Sequence, residues 1–182
     1  MAKIQVSGDG SVEDLVVIEA SHVGLVDRAE HLIKRAKFRM PKEDAAGSVQ
    51  FELRLPFHYP SDLGVSSISP SDDIRQVMSG FEIVEMSFKL HEPQYLDFPP
   101  KLVEQGQVFR PDDQNGKPIT GSATVQFYIN HRGEVCLPVI VASTHPEVAR
   151  AAIGTVSDMK FTPPTVKGEA SATIIQMPFS VK

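Results

Sequence analysis

The feature that most constrains this sequence is an internal repeat. When the chain is shifted by 123 positions, apolar, glycine and proline residues fall on matching residues in the same order. The matches are Gly10-Ser-Val12 with Gly133-Glu-Val135, Val16–Ile18 with Val139–Val141, Ser21-His22 with Thr144-His145, Lys37-Phe38 with Lys160-Phe161 and Pro41 with Pro164. After a one-residue length difference in the next loop, Leu55–Phe57 matches Met177–Phe179. A repeat of this length indicates a duplicated supersecondary unit. We therefore expect two copies, residues 1–59 and 123–182.

Each copy has the pattern of three strands. Alternating apolar residues predict a first strand, a glycine turn leads to a run rich in β-branched residues, and a last strand follows a later glycine loop. The predicted strands are Ala2–Ser7, Val12–Ile18 and Ser48–Phe57 in the first copy, and Ala123–Asn130, Val135–Val141 and Ala170–Val181 in the second.

One amphipathic helix is predicted between the second and third strands of each copy, because apolar residues there recur at helical spacing. Ser21 and Thr144 are the expected N-caps, and Pro146 suits a first turn, where its missing N–H costs nothing. The expected fold class is α+β: two β-β-α-β units with antiparallel sheets, one helix packed on each sheet, and an extra strand from the linker.

The linker, residues 60–122, carries ten acidic and five basic residues, which accounts for the net charge of -5. Alternation of Val84, Met86, Phe88 and Leu90 predicts a strand at 81–91, which we expect to lie against the final strand of one copy. An acidic chain without a long basic run is a poor ligand for phosphate backbones. No apolar run reaches the roughly 18 to 20 residues of a membrane-spanning helix. We expect no nucleic-acid partner and a chain that is not embedded in a membrane.

The second copy and the residues before it resemble the C-terminal domain of the TonB energy transducers. The residues that carry the resemblance are the lead-in Pro93, Tyr95, Phe98 and Pro99, then Val125–Ile129, Gly133-Glu-Val135, Val141–Thr144, Ala151-Ala152, Met159–Pro163 and Met177–Phe179. The first copy is a weaker match, so the chain resembles two tandem C-terminal domains. An energy transducer would add a membrane anchor and a proline-rich spacer, and this sequence shows neither.

The resemblance implies a periplasmic protein-binding module in transport, which captures a segment of an outer-membrane transporter by strand addition at the edge of its sheet. Pro56 and Pro178 cannot donate to a ladder, which also places the final strands at an edge. The predicted peptide-binding residues are Gln50, Phe51, Glu52, Leu53 and Arg54 in the first copy, and Ala172, Thr173, Ile174, Ile175 and Gln176 in the second. The alternative is a structural self-association protein whose copies pair edge to edge, within the chain or as a homodimer, without a transporter ligand.

No arrangement typical of an enzyme or a metal site is visible. The six histidines have neither i,i+4 spacing nor a Cys/His ligand pattern, and the sequence contains no phosphate-binding glycine loop. Cys136 is predicted to be partly exposed, on the side of its strand away from Val135 and Val139, and it has no assigned histidine base. We therefore expect no catalysis, no cofactor and no metal.

Overall fold

The computed structural model describes residues 1–39, 47–54, 88–108, 110–112 and 116–181. Within these residues the protein is mixed α+β, with two α-helices and mostly antiparallel sheets. The parts of the predicted strands at 55–57 and 81–87 lie outside the described residues, and so does Pro56.

The first unit forms a three-stranded antiparallel sheet. Its elements are β1 (Ala2–Val6), β2 (Val12–Val17), the short β3 (Glu19–Ala20), α1 (Val26–Lys34) and β4 (Val49–Leu53). The central strand is β1, with β2 on one side and β4 on the other. Ala2, Ile4 and Val6 are buried and the residues between them are half-buried, which confirms the predicted alternation.

Two strands of the described part lie between the units. β5 (Phe88–His91) falls within the predicted linker strand, and β6 (Leu102–Glu104) follows a short 3-10 turn at Pro93–Tyr95. β5 pairs with β3 of the first unit in antiparallel register. The linker strand therefore connects to the first unit at the end of β2.

The second unit begins with β7 (Gly121–Ile129) and β8 (Val135–Ser143), which form a long hairpin. The helix α2 (Pro146–Ser157) follows, then the short strands β9 (Lys160–Phe161), β10 (Thr165–Val166) and β11 (Glu169–Ala170), and finally β12 (Ala172–Val181). β7 lies between β8 and β12, so the order β8-β7-β12 has the same form as β2-β1-β4. The complete second sheet has the order β3-β5-β12-β7-β8.

The first turn of each unit needs a glycine for the same two reasons. Gly10 and Gly133 have φ of +87° and +82°, a region that other residues rarely adopt. A Cβ atom at either position would also lie 1.9 or 2.0 Å from the backbone oxygen of Phe38 or Phe161. In return, the N–H of each phenylalanine donates to the carbonyl of its glycine at 2.8 Å. The turn is thereby fixed to the chain that leaves the helix.

The two hydrophobic cores differ in origin. In the described part of the chain, the buried core under α2 consists of residues from the second unit: Ala123, Val125, Phe127, Ile129, Val148, Ala152, Val156, Met159 and Phe161. The core around α1 combines first-unit residues with Phe88, Tyr128, Cys136, Leu137 and Ala172. The second sheet therefore packs on both faces, against α2 on one and against the first unit on the other.

Polar contacts cross the seam between the units at two places. The Asp14 carboxylate accepts the N–H of Leu137 at 2.6 Å, and Leu137 has a φ of +51°. Arg132 donates to the buried carboxylate of Glu30 at 2.6 Å and to Asp27 on the same helix at 2.6 Å. These bonds fix α1 and β2 against the start of β8.

Three expectations about single residues need correction. Ser21 and Thr144 are not the N-caps: His22 accepts from the N–H of Gly24 at the start of the first helical turn, and His145 occupies the cap position of α2. Cys136 is buried, because the face that looks exposed in one unit is covered by the other. Burial raises the pKa of its thiol well above the usual range. Pro146 does lie in the first turn of α2, as predicted.

Candidate peptide-binding edge and cleft

The final strand β12 is covered on one side along its whole length and on the other side only at its start. Its register with β7 runs from Thr173, opposite Ile129, to Val181, opposite Gly121. On the outer side β5 pairs in parallel register, with Leu90 opposite Ala172 and His91 opposite Thr173. From Ile174 onward no strand in the described part of the chain pairs with this outer side. Within the described residues the open edge therefore begins at Ile174. Ala172 and Thr173, which the sequence analysis placed in the binding edge, are instead already paired with β5.

Pro178 shows which backbone groups point outward. The ladder with β7 continues through Pro178, opposite Thr124, although proline has no N–H. Its nitrogen must therefore face away from β7, as at a sheet edge. Backbone direction alternates along a strand, so the N–H of Gln176 points outward as well. Gln176 thus offers a donor to a neighbouring strand, and Pro178 interrupts that row of donors.

The side chains of this edge have two different surroundings. Ile175, Met177, Phe179 and Val181 are half-buried and pack at the border of the core beneath α2. Gln176, Pro178 and Ser180 are exposed on the opposite face. A partly covered apolar row on an unpaired strand is a surface that another strand can complete.

The start of β12 is anchored to the linker by side chains. The Nδ1 atom of His91 lies 2.9 Å from the Ser171 hydroxyl, which also donates to the carbonyl of Lys89. The Asp97 carboxylate accepts the N–H groups of Lys167 and Gly168 at 2.7 and 2.8 Å, and these bonds lower its pKa. The lead-in segment that the sequence singled out thus has a positioning contact with the loop before β12.

The corresponding strand of the first unit is also an edge within the described residues. β4 pairs with β1 on one side, and no described strand pairs with its other side. It contains the predicted residues Gln50–Leu53, and Arg54 follows it directly. β4 and β12 belong to separate sheets, so pairing of the two final strands within the chain is not observed among the described residues.

A cleft of about 470 Å³ opens between the two sheets, next to the point where the outer edge of β12 becomes free. It is bounded by Lys3 and Glu52 of the first sheet and by Tyr128 and Ile174 of the second. Apart from Glu52 and Ile174, sequence reasoning assigned none of its residues to a binding site. The strand alternation could have indicated that Tyr128 and Ile174 share a face, but not that the first unit lies opposite.

Ionisable residues meet chiefly at the seam. Arg132 contacts Asp27, Glu30 and Glu134, and the hydrogen bond from Asn130 together with the Arg132 charge lowers the pKa of Glu134. Burial raises the pKa of Asp14 despite its bonds to backbone N–H groups. Among the described residues no group of three His, Cys, Asp or Glu side chains has a geometry suited to a metal ion.

Comparison with known proteins supports one part of the expected resemblance. Residues 111–181 match the family model described as Gram-negative bacterial TonB protein C-terminal. This part of the chain is similar to that family, and it contains β7, β8, α2 and β12. The comparison with curated proteins found no match. No helix in the described ranges has both the length and the apolarity needed to cross a membrane.

Proposed function

We propose that this protein is a non-catalytic binding module that captures an extended segment of a partner protein at the outer edge of β12. The observation that carries the proposal is the edge itself. From Ile174 onward it has no described strand partner, Gln176 directs a backbone donor outward, and half-buried apolar side chains line the side facing α2.

The family match supports the choice of partner. Residues 111–181 are TonB C-terminal-like, and that family implies interaction with outer-membrane transporters in the periplasm of Gram-negative bacteria. The proposed partner is accordingly a segment of such a transporter, and the proposed compartment is the periplasm. Strand addition suits this role because backbone hydrogen bonds supply affinity while a few side-chain sites supply selectivity.

The direct test is removal of the outward donor. The probes are overlapping peptides from the periplasm-facing segments of outer-membrane transporters encoded in the same genome, and binding is measured by fluorescence anisotropy. Gln176→Pro leaves the ladder with β7 intact, as Pro178 does, but removes the outward N–H. We expect binding to weaken by about tenfold or more, because a backbone bond is lost and the added strand is displaced.

The matched control is Ser180→Pro. Ser180 lies on the same side of the backbone but beyond Pro178, where the row of outward donors is already interrupted. This variant should bind as the native protein does. Equal binding by native protein and Gln176→Pro would contradict strand addition at β12. Amide exchange at Gln176 that slows on adding peptide would support it.

We further propose that residues 1–59 and 123–182 are two copies of one unit, joined by the linker 60–122. The common strand order and the equivalent glycine turns support this proposal. The outer side of β4 is then a second candidate site for a strand. The alternative, self-association through these edges in a homodimer, predicts a dimer in sedimentation that Gln176→Pro dissociates without any peptide.

A further inference from the structure

We propose that the first unit forms the opposite wall of the binding site, and that the captured strand inserts one bulky apolar side chain into the cleft between the units. This inference rests on the proposed function, since it identifies a side chain of the same bound segment. The proposed ligand is a partner strand with a large aliphatic or aromatic residue at the position next to Ile174.

The cleft is built from cross-strand pairs of both sheets. Lys3 and Glu52 are directly opposite each other on β1 and β4, and Tyr128 and Ile174 are directly opposite on β7 and β12. All four line the same cleft of about 470 Å³. A strand that continues the second sheet beyond Ile174 places every second side chain on the face of Ile174 and Tyr128. One side chain of that strand therefore points at the wall formed by the first unit.

The electrostatics of the cleft favour a neutral side chain. Lys3 faces Glu52, and a second pair of opposite sign, Glu19 and Lys89, lies across β3 and β5 at the rim. Lys3 also lies 5.5 Å from the centre of the Tyr128 ring, and its contact with Tyr128 raises its pKa. The four side-chain charges that line the cleft therefore sum to zero. The Met1 ammonium adds one positive charge at the rim, where it donates to the carbonyl of Glu19.

The floor of the cleft is apolar. Ile18 and Leu90 are half-buried there, together with Ile174 and the nearly buried ring of Tyr128. The volume is large enough for any single side chain. Because burial of a large apolar side chain strengthens association, replacing it by alanine should weaken binding by about tenfold to a hundredfold.

The experiment uses a phage-displayed library of random nine-residue peptides as the probe and the full chain as the target. We expect the enriched peptides to share one bulky apolar position, with a looser preference at every second residue around it. Alanine at the shared position should cost about tenfold to a hundredfold in affinity. Enriched peptides without a shared apolar position would overturn the inference.

Charge variants of the wall make the test specific to the first unit. Lys3→Glu replaces a positive charge of the wall by a negative one and should change the selected residue to Lys or Arg, whereas Glu52→Lys should select Asp or Glu. The double variant Lys3→Glu with Glu52→Lys restores the charge balance of the native wall and should select apolar residues again. Lys101→Glu, an exposed residue away from the cleft, is the matched control and should select as the native chain does.

The outcomes separate this inference from the proposed function. The peptides could bind the Gln176→Pro variant more weakly while the residues selected do not change with the wall charges. That result refutes the cleft inference but leaves strand addition standing. Peptides insensitive to Gln176→Pro refute strand addition. If no peptide is enriched, the cleft is closed to partners. Sedimentation then tells what closes it: a dimer indicates a second copy of the chain, and a monomer indicates the chain itself. Either result overturns the inference.

Discussion

The two units share one order of strand pairing, but they differ in where their cores come from. In the second unit every buried residue that the structure describes under α2 belongs to that unit, from Ala123 to Phe161. In the first unit the core around α1 is completed by Phe88, Tyr128, Cys136, Leu137 and Ala172. Among the described residues, one unit thus closes its own core and the other depends on its neighbour.

The difference has a consequence for recognition. The self-contained unit carries a final strand of ten residues, whereas β4 has five. Since the first unit is held against one face of the second sheet, it is placed to form a wall beside the open edge of β12. The proposed function accordingly uses the second unit for backbone recognition and the first unit for side-chain selection.

Separating the units should give the largest effect. The fragment 88–182 retains the complete core under α2 and should unfold cooperatively in urea. The fragment 1–59 loses the residues that close its core, so we expect no cooperative transition for it. Circular dichroism during urea titration measures both. A cooperative transition in the fragment 1–59 would show that the first unit is also self-contained.

Substitutions of the turn glycines should show, within the intact chain, which unit depends on the other. Gly133→Ala forces a Cβ to within about 2 Å of a backbone oxygen at positive φ, and we expect a loss of at least about 2 kcal/mol. Because the first unit needs the second, both should unfold together in this variant. Gly10→Ala should cost a similar amount but leave the second unit folded. Residue-level amide exchange distinguishes the two patterns, and identical patterns would contradict the asymmetry.

Breaking the seam should have a smaller effect. Arg132→Met leaves the buried Glu30 carboxylate without its main partner, which we expect to cost about 1 to 2 kcal/mol, since the exposed part of Arg132 reduces the value for a fully buried pair. The control is Arg150→Met, which removes an exposed pair with Glu147 and should stay within about 0.5 kcal/mol. Urea denaturation gives both values. A loss in Arg132→Met no larger than in the control would show that the seam contributes little.

The pH dependence of stability should contain opposite contributions from the two units. The pKa of Asp14 is raised by folding, so its favourable contribution is complete below about 3.8 and is lost as the pH rises through the folded pKa. The pKa of Glu134 is lowered, so its contribution is present above about 4.5 and is lost as the pH falls. The measurement is the unfolding free energy from pH 3 to 7. Asp14→Asn should remove the loss of stability at rising pH, and Glu134→Gln should remove the loss of stability at falling pH. Slopes of the same sign would contradict this assignment.

Local features were predictable because they depend on neighbouring residues. Alternation located the strands, helical spacing located α1 and α2, and Gly10 and Gly133 marked the turns where positive φ is needed. Pro178 indicated an edge strand, but β12 is the middle strand of its sheet, because β5 pairs with it at Ala172 and Thr173. Only the stretch from Ile174 onward lacks a second partner among the described strands, and Pro178 lies in that stretch. The prediction failed where a second unit covers a face, as at Cys136.

The sequence by itself determined the order of strands and helices, because alternation, helical period and turn chemistry are properties of short segments. Only the tertiary structure decided which part of the final edge stays open, which residues form the cleft, and which unit closes its own core. Those features join residues about a hundred positions apart, such as Arg132 with Glu30 and Leu137 with Asp14. No local pattern encodes such contacts, since they depend on how two completed sheets pack.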